Sequence, residues 1–409
     1  MKFFLKHSVI FPTLICAFAT SYWLVLALQI FNIHDFIYIG RFFIQRSNNS
    51  PIISSQLKYS QQGFGYDGQF FYYFALDPYR AFSYIDDPPY RIGRVLYPLA
   101  ARLLSFGKEN LVALNLLIIN ILSVLGTVFL LSNYLKRYNL SPYYSLIYGF
   151  YPGVYVSLGH DLNEPMAYFL TMAGVYFFDA KRLRRLAISA AMFILAIFTR
   201  EATAIFSVAF MGSLVFKISD SDQNIALDQH WKKGLVSTLL ILIPYFLFVL
   251  FLNYYYSPDR SPHLSFPPIL NLLWPWSNAM TLVMLPSLIL GIIPIKFFRK
   301  GILTAAVAVL SIQILLLISL IPDDFSMYAN IGRYANGLVL AATLCLPDLV
   351  NFSRRLISLV VAVAFLWFQA WIFTPQFIAG QQIGIYVYYI AMIIFVSYFY
   401  TMKSQPSRD

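Results

Sequence analysis

Cysteine is nearly missing: Cys16 and Cys345 are the only two, and both lie inside apolar runs. A disulfide framework and a cysteine-based metal site are therefore set aside. Charge is scarce as well, since Asp, Glu, Lys and Arg together make up 11% of the chain, against about a quarter in a soluble domain. That scarcity excludes an ordinary soluble fold. No internal repeat and no low-complexity tract is visible.

What is there is apolar. Hydrophobic residues account for 59% of the chain, and long uncharged runs recur from end to end. Runs of about 18 or more such residues read as transmembrane helices, so an all-α polytopic membrane protein with roughly twelve spans is expected. The spans are Ser8–Phe31, Asn110–Asn133, Pro142–Leu158, Asn163–Asp179, Leu186–Thr199, Ala202–Phe216, Leu235–Tyr256, Ala279–Phe297, Gly301–Ile321, Tyr334–Pro347, Leu356–Phe373 and Ile383–Thr401. The first run is too long for a signal-peptide core and no small-x-small cleavage site follows it, so it reads as an uncleaved helix. The whole chain, 1–409, reads as one membrane domain.

The net charge of +11 does not call for nucleic acid once topology is considered. With a cytoplasmic N-terminus, the inner loops collect Lys136 and Arg137, then Lys181, Arg182, Arg184 and Arg185, and later Lys217, Lys232 and Lys233. Lys296, Arg299, Lys300, Arg354, Arg355, Lys403 and Arg408 fall on the same side, while the later outer loops hold only Arg200, Arg260 and Arg333. This asymmetry places both termini in the cytoplasm. The acids run the other way, with Asp35, Asp67, Asp77, Asp86, Asp87, Glu109, Asp161, Glu164, Glu201, Asp259, Asp323 and Asp324 outside. Insertion rules do not explain that clustering, because acids contribute little to orientation. A shared extracytoplasmic site explains it; so does a solvated outer rim.

The first outer loop, residues 32–109, is far longer than a connector needs and should be structured. His34–Gln45 can lie flat on the membrane, and Arg91–Phe106 carries an amphipathic pattern with Arg94 and Arg102, suggesting surface helices that frame a cavity. Within this loop Tyr66-Asp67-Gly68-Gln69 precedes the aromatic run Phe70–Phe74. Asp67 beside Gly68 is either a turn or an acid on a mobile backbone able to reach a substrate. Further along, Thr199-Arg200-Glu201 joins two short spans of about 22 Å, less than the hydrocarbon core, so its charges should sit below the outer surface. A mutual Arg200–Glu201 salt bridge is the plain alternative. In His160-Asp161-Leu162-Asn163-Glu164-Pro165, Asn163 and Glu164 suit a helix start, Asp161 and Glu164 can project together, and His160 with Asp161 is a weak candidate for a divalent metal. Arg333-Tyr334 opens a helix where an arginine can hold a phosphate, or where the pair anchors at the interface. Trp274-Pro-Trp276 reads as interfacial belt.

The order of these motifs resembles the GT-C superfamily of polytopic glycosyltransferases, above all PIG-V-type mannosyltransferases and related bacterial membrane proteins. The resemblance rests on Tyr66-Asp67 with the following aromatics to Ala75, Leu96-Tyr97-Pro98-Leu99, Asn163-Glu164, Thr199-Arg200-Glu201 and Arg333-Tyr334. It covers about the first half of the chain and one late loop. Tyr66 stands where the family has Trp and no strict Asp-x-Asp is present, which leaves donor identity and metal need open. The resemblance implies inverting transfer of a sugar, mannose among the options, from a polyprenyl-phosphate donor on the outer leaflet. The acceptor would be a glycan, lipid or protein, and the setting a bacterial inner or plasma membrane. Fitted to that chemistry, Asp67 is the candidate base. Arg200 and Arg333, with Arg91 and Arg94 in reserve, are candidates for the phosphate. Tyr66, Gln69, Tyr72, Asp161, Glu164, Glu201 and Tyr334 would line the pocket.

Two rivals handle the same lipids. A transporter or flippase of lipid-linked saccharides should show discontinuous helices in two related halves and midplane charges, and neither repeat nor midspan acid is seen. An O-antigen-type polymerase should carry outer loops richer in arginine than in acid.

Overall fold

The computed structural model describes residues 8–46, 51–83, 85–179, 181–216, 227–256, 278–319 and 328–369. Among these residues every regular element is a helix, and the nearest approach to a sheet is a pair of isolated bridges, Ile39–Gly65 and Gly40–Gln61. Three described helices are long and apolar enough to cross a membrane: Ile10–Leu28, Glu109–Arg137 and Gly234–Tyr255. A bent pair, Asn330–Leu344 with Leu346–Phe352, makes a fourth if counted as one span.

The first helix, α1, runs Ile10–Leu28. The described residues between 32 and 109 then form a succession of short helices, including α2 (Gly68–Leu76), α3 (Pro88–Ile92) and α4 (Leu96–Leu104). They enclose a core of their own, in which Ile37, Phe43, Phe70, Phe71, Tyr73 and Tyr97 pack with Leu116 and Leu252 from longer helices. The long first loop is thus a folded cap seated on the bundle.

Helix α5, Val112–Arg137, buries Leu116, Asn120, Ser123, Thr127 and Leu131 at spacings of three and four residues, the signature of one helical face. Small and polar side chains on that stripe allow close helix approach where apolar packing alone gives little discrimination from lipid. Beyond it come α6 (Pro152–Gly159), α7 (Glu164–Phe177), α8 (Leu183–Thr199) and α9 (Ala204–Phe216). Helix α10, Leu227–Tyr255, leaves Leu239, Leu240, Ile243, Phe246, Leu247, Leu250 and Phe251 exposed, an apolar face suited to acyl chains. In the last third, α11 (Ala305–Ile318) begins on Thr304, whose hydroxyl accepts from Val307 N at 3.2 Å. The bent pair follows: α12 (Tyr328–Tyr334) and α13 (Asn336–Leu344) make up its first arm and α14 (Leu346–Phe352) its second, before α15 (Arg354–Gln369).

Several expected spans are broken or shorter than drawn. Pro142–Leu158 divides into a 3-10 turn at Pro142–Ser145, a single turn at Leu146–Gly149 and α6. Tyr151 is extended (φ −65°, ψ 126°) because the following Pro152 disfavours a helical predecessor and brings no N–H. Ala279–Phe297 splits into Asn278–Ile289 and Ile292–Phe298. Tyr334–Pro347 is interrupted at Cys345, before Pro347. The span Ile383–Thr401, the residues Lys217, Asp259, Arg260, Asp323, Asp324, Lys403 and Arg408, and the Trp274-Pro-Trp276 stretch lie outside the described residues.

Candidate functional site

Asp67 sits one residue before α2. The glycine that opens this helix is required by packing: a Cβ on Gly68 would lie 2.0 Å from the carbonyl oxygen of His160. Two segments nearly a hundred positions apart are thereby pressed together, which brings Asp67 beside the loop that leads into α7. The helix start makes Asp67 an anchored residue and not the tip of a mobile loop.

Glu164 is the first residue of α7 and is fully buried. Asn163 before it donates from Nδ2 to the carbonyl of Thr199, stitching the α7 start to the α8 end. Arg200 leaves α8 in extended conformation (φ −160°, ψ 118°). Its Nη1 donates to Glu164 Oε1 at 2.7 Å and to Asn163 Oδ1 at 3.4 Å. Arg333 is delivered by a third close approach, since a Cβ on Gly153 of α6 would lie 2.1 Å from the Gly332 oxygen. The Tyr151 hydroxyl donates to that same oxygen at 3.0 Å.

The result is one alternating line of charge. Arg333 Nη1 lies 2.6 Å from Asp67 Oδ2 and 3.9 Å from Glu164 Oε1. Arg91 Nη2 lies 3.1 Å from Asp67 Oδ1, and its Nε bonds Asp86 Oδ1 at 2.7 Å. Asp86, Arg91, Asp67, Arg333, Glu164 and Arg200 therefore run in sequence, from a partly exposed rim to a sealed interior. Side-chain exposure is 22% at Asp67 but 5% at Arg200 and nothing at Glu164. Burying so many ions is costly unless each is paired, and here carboxylates and guanidiniums alternate.

The pairing is incomplete. Arg91 Nη1, Arg200 Nε, Arg333 Nε and Glu164 Oε2 are buried without a hydrogen-bond partner among the described residues. Three arginines of one ion-pair line thus keep spare donors, which suits an anion with several acceptor oxygens. Aromatic faces flank the cations: the Arg333 guanidinium lies 5.1 Å from the Tyr66 ring and 5.0 Å from that of Tyr334, and Arg91 lies 4.4 Å from Phe70. Tyr66 also donates its hydroxyl to Asn330 Oδ1 at 2.6 Å.

Electrostatics follow from these contacts. Burial alone would raise Asp67, but Arg91 and Arg333 outweigh it and hold the carboxyl well below the usual carboxylate range. Burial lowers His160 to about 4, and its bond with the Val156 carbonyl offsets only part of that shift. His160 is accordingly a neutral ring, tilted against Tyr66 with centroids 4.5 Å apart. Asp161 adopts a left-handed conformation (φ 47°) and is fully buried, with neither carboxyl oxygen hydrogen-bonded among the described residues. Burial raises its pKa strongly. It joins no ion pair with the arginines, and no group of three or more His, Cys, Asp or Glu able to hold a metal occurs among the described residues.

Four other expected site residues serve the scaffold. Gln69 accepts from Gly40 N at 3.0 Å and donates to Phe64 O at 2.7 Å, tying these two backbone positions together. Tyr72 is buried and donates to Gln56 Oε1 at 2.9 Å. Both lie inside α2, on faces buried in the cap core, while Tyr66 and Asp67 precede the helix. Arg94 is buried and spends Nε and Nη2 on Glu201, with Tyr90 adding a hydroxyl and a ring face at 4.0 Å. Glu201 therefore ties the α8–α9 turn to the cap, and the expected Arg200–Glu201 bridge gives way to Arg200–Glu164 and Arg94–Glu201. Tyr90, Asn330, Tyr151 and Gly153 are not singled out by sequence, and Asp86 enters only as one of the clustered outer acids, although the two acids followed by Pro88-Pro89 mark a chain break there.

Comparison with protein-family models, with curated proteins and with solved structures finds no match to this chain.

Proposed function

We propose that the chain is a membrane glycosyltransferase of GT-C type, moving a sugar from a polyprenyl-phosphate donor to an acceptor hydroxyl at the extracytoplasmic face. The observation that carries this reading is the set of spare guanidinium donors on Arg91 and Arg333, which share the partly exposed Asp67 carboxylate, and on Arg200, which pairs with Glu164 deeper on the same line. A lipid phosphate supplies the acceptor oxygens those donors lack, and a departing phosphate is the charge they would stabilise.

As it stands, Asp67 is a poor base because two guanidiniums hold its proton affinity down. The donor changes that. Phosphate oxygens entering between Arg91 and Arg333 replace the Asp67 carboxylate as their partner, and the carboxylate, relieved of two charge-assisted bonds, becomes more basic. The acceptor oxygen then bonds to the anomeric carbon while its proton passes to Asp67. The bond from that carbon to phosphate breaks, and its electron pair leaves on the phosphate, still held by the arginines. Attack opposite the leaving group inverts the anomeric centre. Tyr66 and Tyr334 flank the site and offer faces to a sugar ring. The α10 outer face and the other long helices would sit in lipid, with both termini cytoplasmic and the Asp67 end of the bundle outside.

The break at Tyr151, whose hydroxyl bonds the Gly332 carbonyl next to Arg333, favours one second reading, a transporter of lipid-linked saccharides, since an unwound segment beside a charged centre suits ion or headgroup passage. The two separate in one assay. Full-length protein in proteoliposomes, given a polyprenyl-phosphate-sugar and an acceptor, should release free polyprenyl phosphate. Translocation without cleavage would replace the transferase with the transporter.

A further inference from the structure

A second concentration of cations lies at the other end of the same helices. A pocket of about 490 Å³ is lined by Arg137, Tyr176, Phe177, Arg182, Arg184 and Arg185 together with Ile188. Arg137 closes α5 and donates to the Tyr176 carbonyl at 2.9 Å, its guanidinium 3.8 Å from the Tyr176 ring. Arg185 reaches the same carbonyl at 3.1 Å. Asp179 is the acid paired with this group, shared by Arg185 at 3.4 Å and Arg182 at 3.8 Å. Arg184 is exposed and makes no ion pair or hydrogen bond among the described residues. The N-terminal end of α8 has no side-chain cap and no acid in its first turn, so its dipole adds to the positive field.

Position identifies the occupant. The pocket sits where α7 ends and α8 begins, whereas Glu164 and Arg200 stand at the opposite ends of those two helices. Fourteen and 17 residues of helix separate the two clusters by about 20–25 Å. Arg137 also terminates one of the helices long and apolar enough to cross a membrane. Guanidiniums at the end of such a helix lie at headgroup depth, where anionic lipid phosphates are concentrated. Leu183 is 79% exposed between Arg182 and Arg184, an apolar foot among basic residues that suits an interface more than bulk water.

We infer that this pocket is a binding site for a phosphate-bearing anion, and specifically for the headgroup of an anionic phospholipid in the leaflet opposite the Asp67 centre. Its two aromatic walls and several forked donors fit a phosphodiester, while its open side admits the glycerol and acyl chains.

The test is native mass spectrometry of the detergent-purified full chain titrated with phosphatidylglycerol, phosphatidylcholine or inorganic phosphate. Arg182→Gln with Arg184→Gln removes two cations that support no buried contact. Arg354→Gln with Arg355→Gln removes an equal, exposed charge elsewhere. At about fivefold per interfacial cation, phosphatidylglycerol should bind roughly thirtyfold more weakly to the first pair and unchanged to the second, with phosphatidylcholine indifferent to both. Equal retention by the first pair, or equal loss in both pairs, overturns the site. Inorganic phosphate binding as tightly as the lipid, with the same loss, overturns the headgroup assignment in favour of a soluble anion.

Discussion

Replacing Asp67 by Asn separates two properties that a simple catalytic acid would lose together. The substitution keeps the side chain's shape but withdraws the charge held by Arg333 at 2.6 Å and Arg91 at 3.1 Å. Removing one partner of a buried pair costs about 3–5 kcal/mol, and with Asp67 22% exposed the lower end applies. The variant should therefore melt several degrees lower. Transfer should fall by about 10²–10⁴, the range of a general base. Phosphate affinity should move the other way. In the native protein an entering phosphate has to displace two charge-assisted bonds of about 1.5–3 kcal/mol each, whereas Asn offers weaker neutral ones. A net gain of about 1.4–2.8 kcal/mol is about 10- to 100-fold in Kd. Calorimetric titration with a short-chain polyprenyl phosphate, beside a transfer assay on the same preparations, reads both. Phosphate binding weaker than in the native protein, or retained turnover, would refute the displacement argument.

Further outcomes follow from the same contacts. Arg333→Ala should weaken donor use more than acceptor use, seen as a larger rise in KM for the donor, and an acceptor-only defect would count against its phosphate role. Gly68→Ala should destabilise the cap by several kcal/mol, because its Cβ meets the His160 carbonyl at 2.0 Å, and a normal melting temperature would show that the two loops do not touch as described. His160, held near 4 in the fold against about 6.5 when unfolded, binds fewer protons in the native state between those values. Stability should thus be full above about pH 6.5 and decline as pH falls toward 4, a slope that His160→Gln should flatten in melts recorded across that window. EDTA should leave transfer unchanged if the arginines alone manage the leaving group, and loss restored by added divalent ion would require a metal at the site.

Much of the centre was legible because its residues are costly where they stand. Glu164, Arg200 and Arg333 stand at the edges of apolar runs and Asp67 directly before an aromatic one, and charge in such surroundings is kept only where it is paired or used. The structure brings all four into one line. Their partners were less legible. Adjacent residues at a helix end point in different directions, so Arg200 turns to Glu164 and Glu201 to Arg94, a residue 107 positions away. The places of Gln69 and Tyr72 are illegible for a related reason: the sequence does not show which way a helix turns them, and α2 turns both side chains into the cap core. Hydropathy located the apolar segments and overstated their continuity, since averaging over a window hides the backbone effect of Pro152 or Pro347. The close contacts at Gly68 and Gly153 could not be read at all, for each depends on a carbonyl from a distant segment.

Receipt of the donor phosphate by Arg91 and Arg333 is the step most directly open to measurement. Polyprenyl phosphate released from a polyprenyl-phosphate-sugar by the purified full chain should be abundant in the native protein and nearly absent in Arg333→Gln, with lipid phosphate binding reduced at least tenfold. Equal release by Arg333→Gln, or a native protein that neither binds nor cleaves the donor, would contradict it.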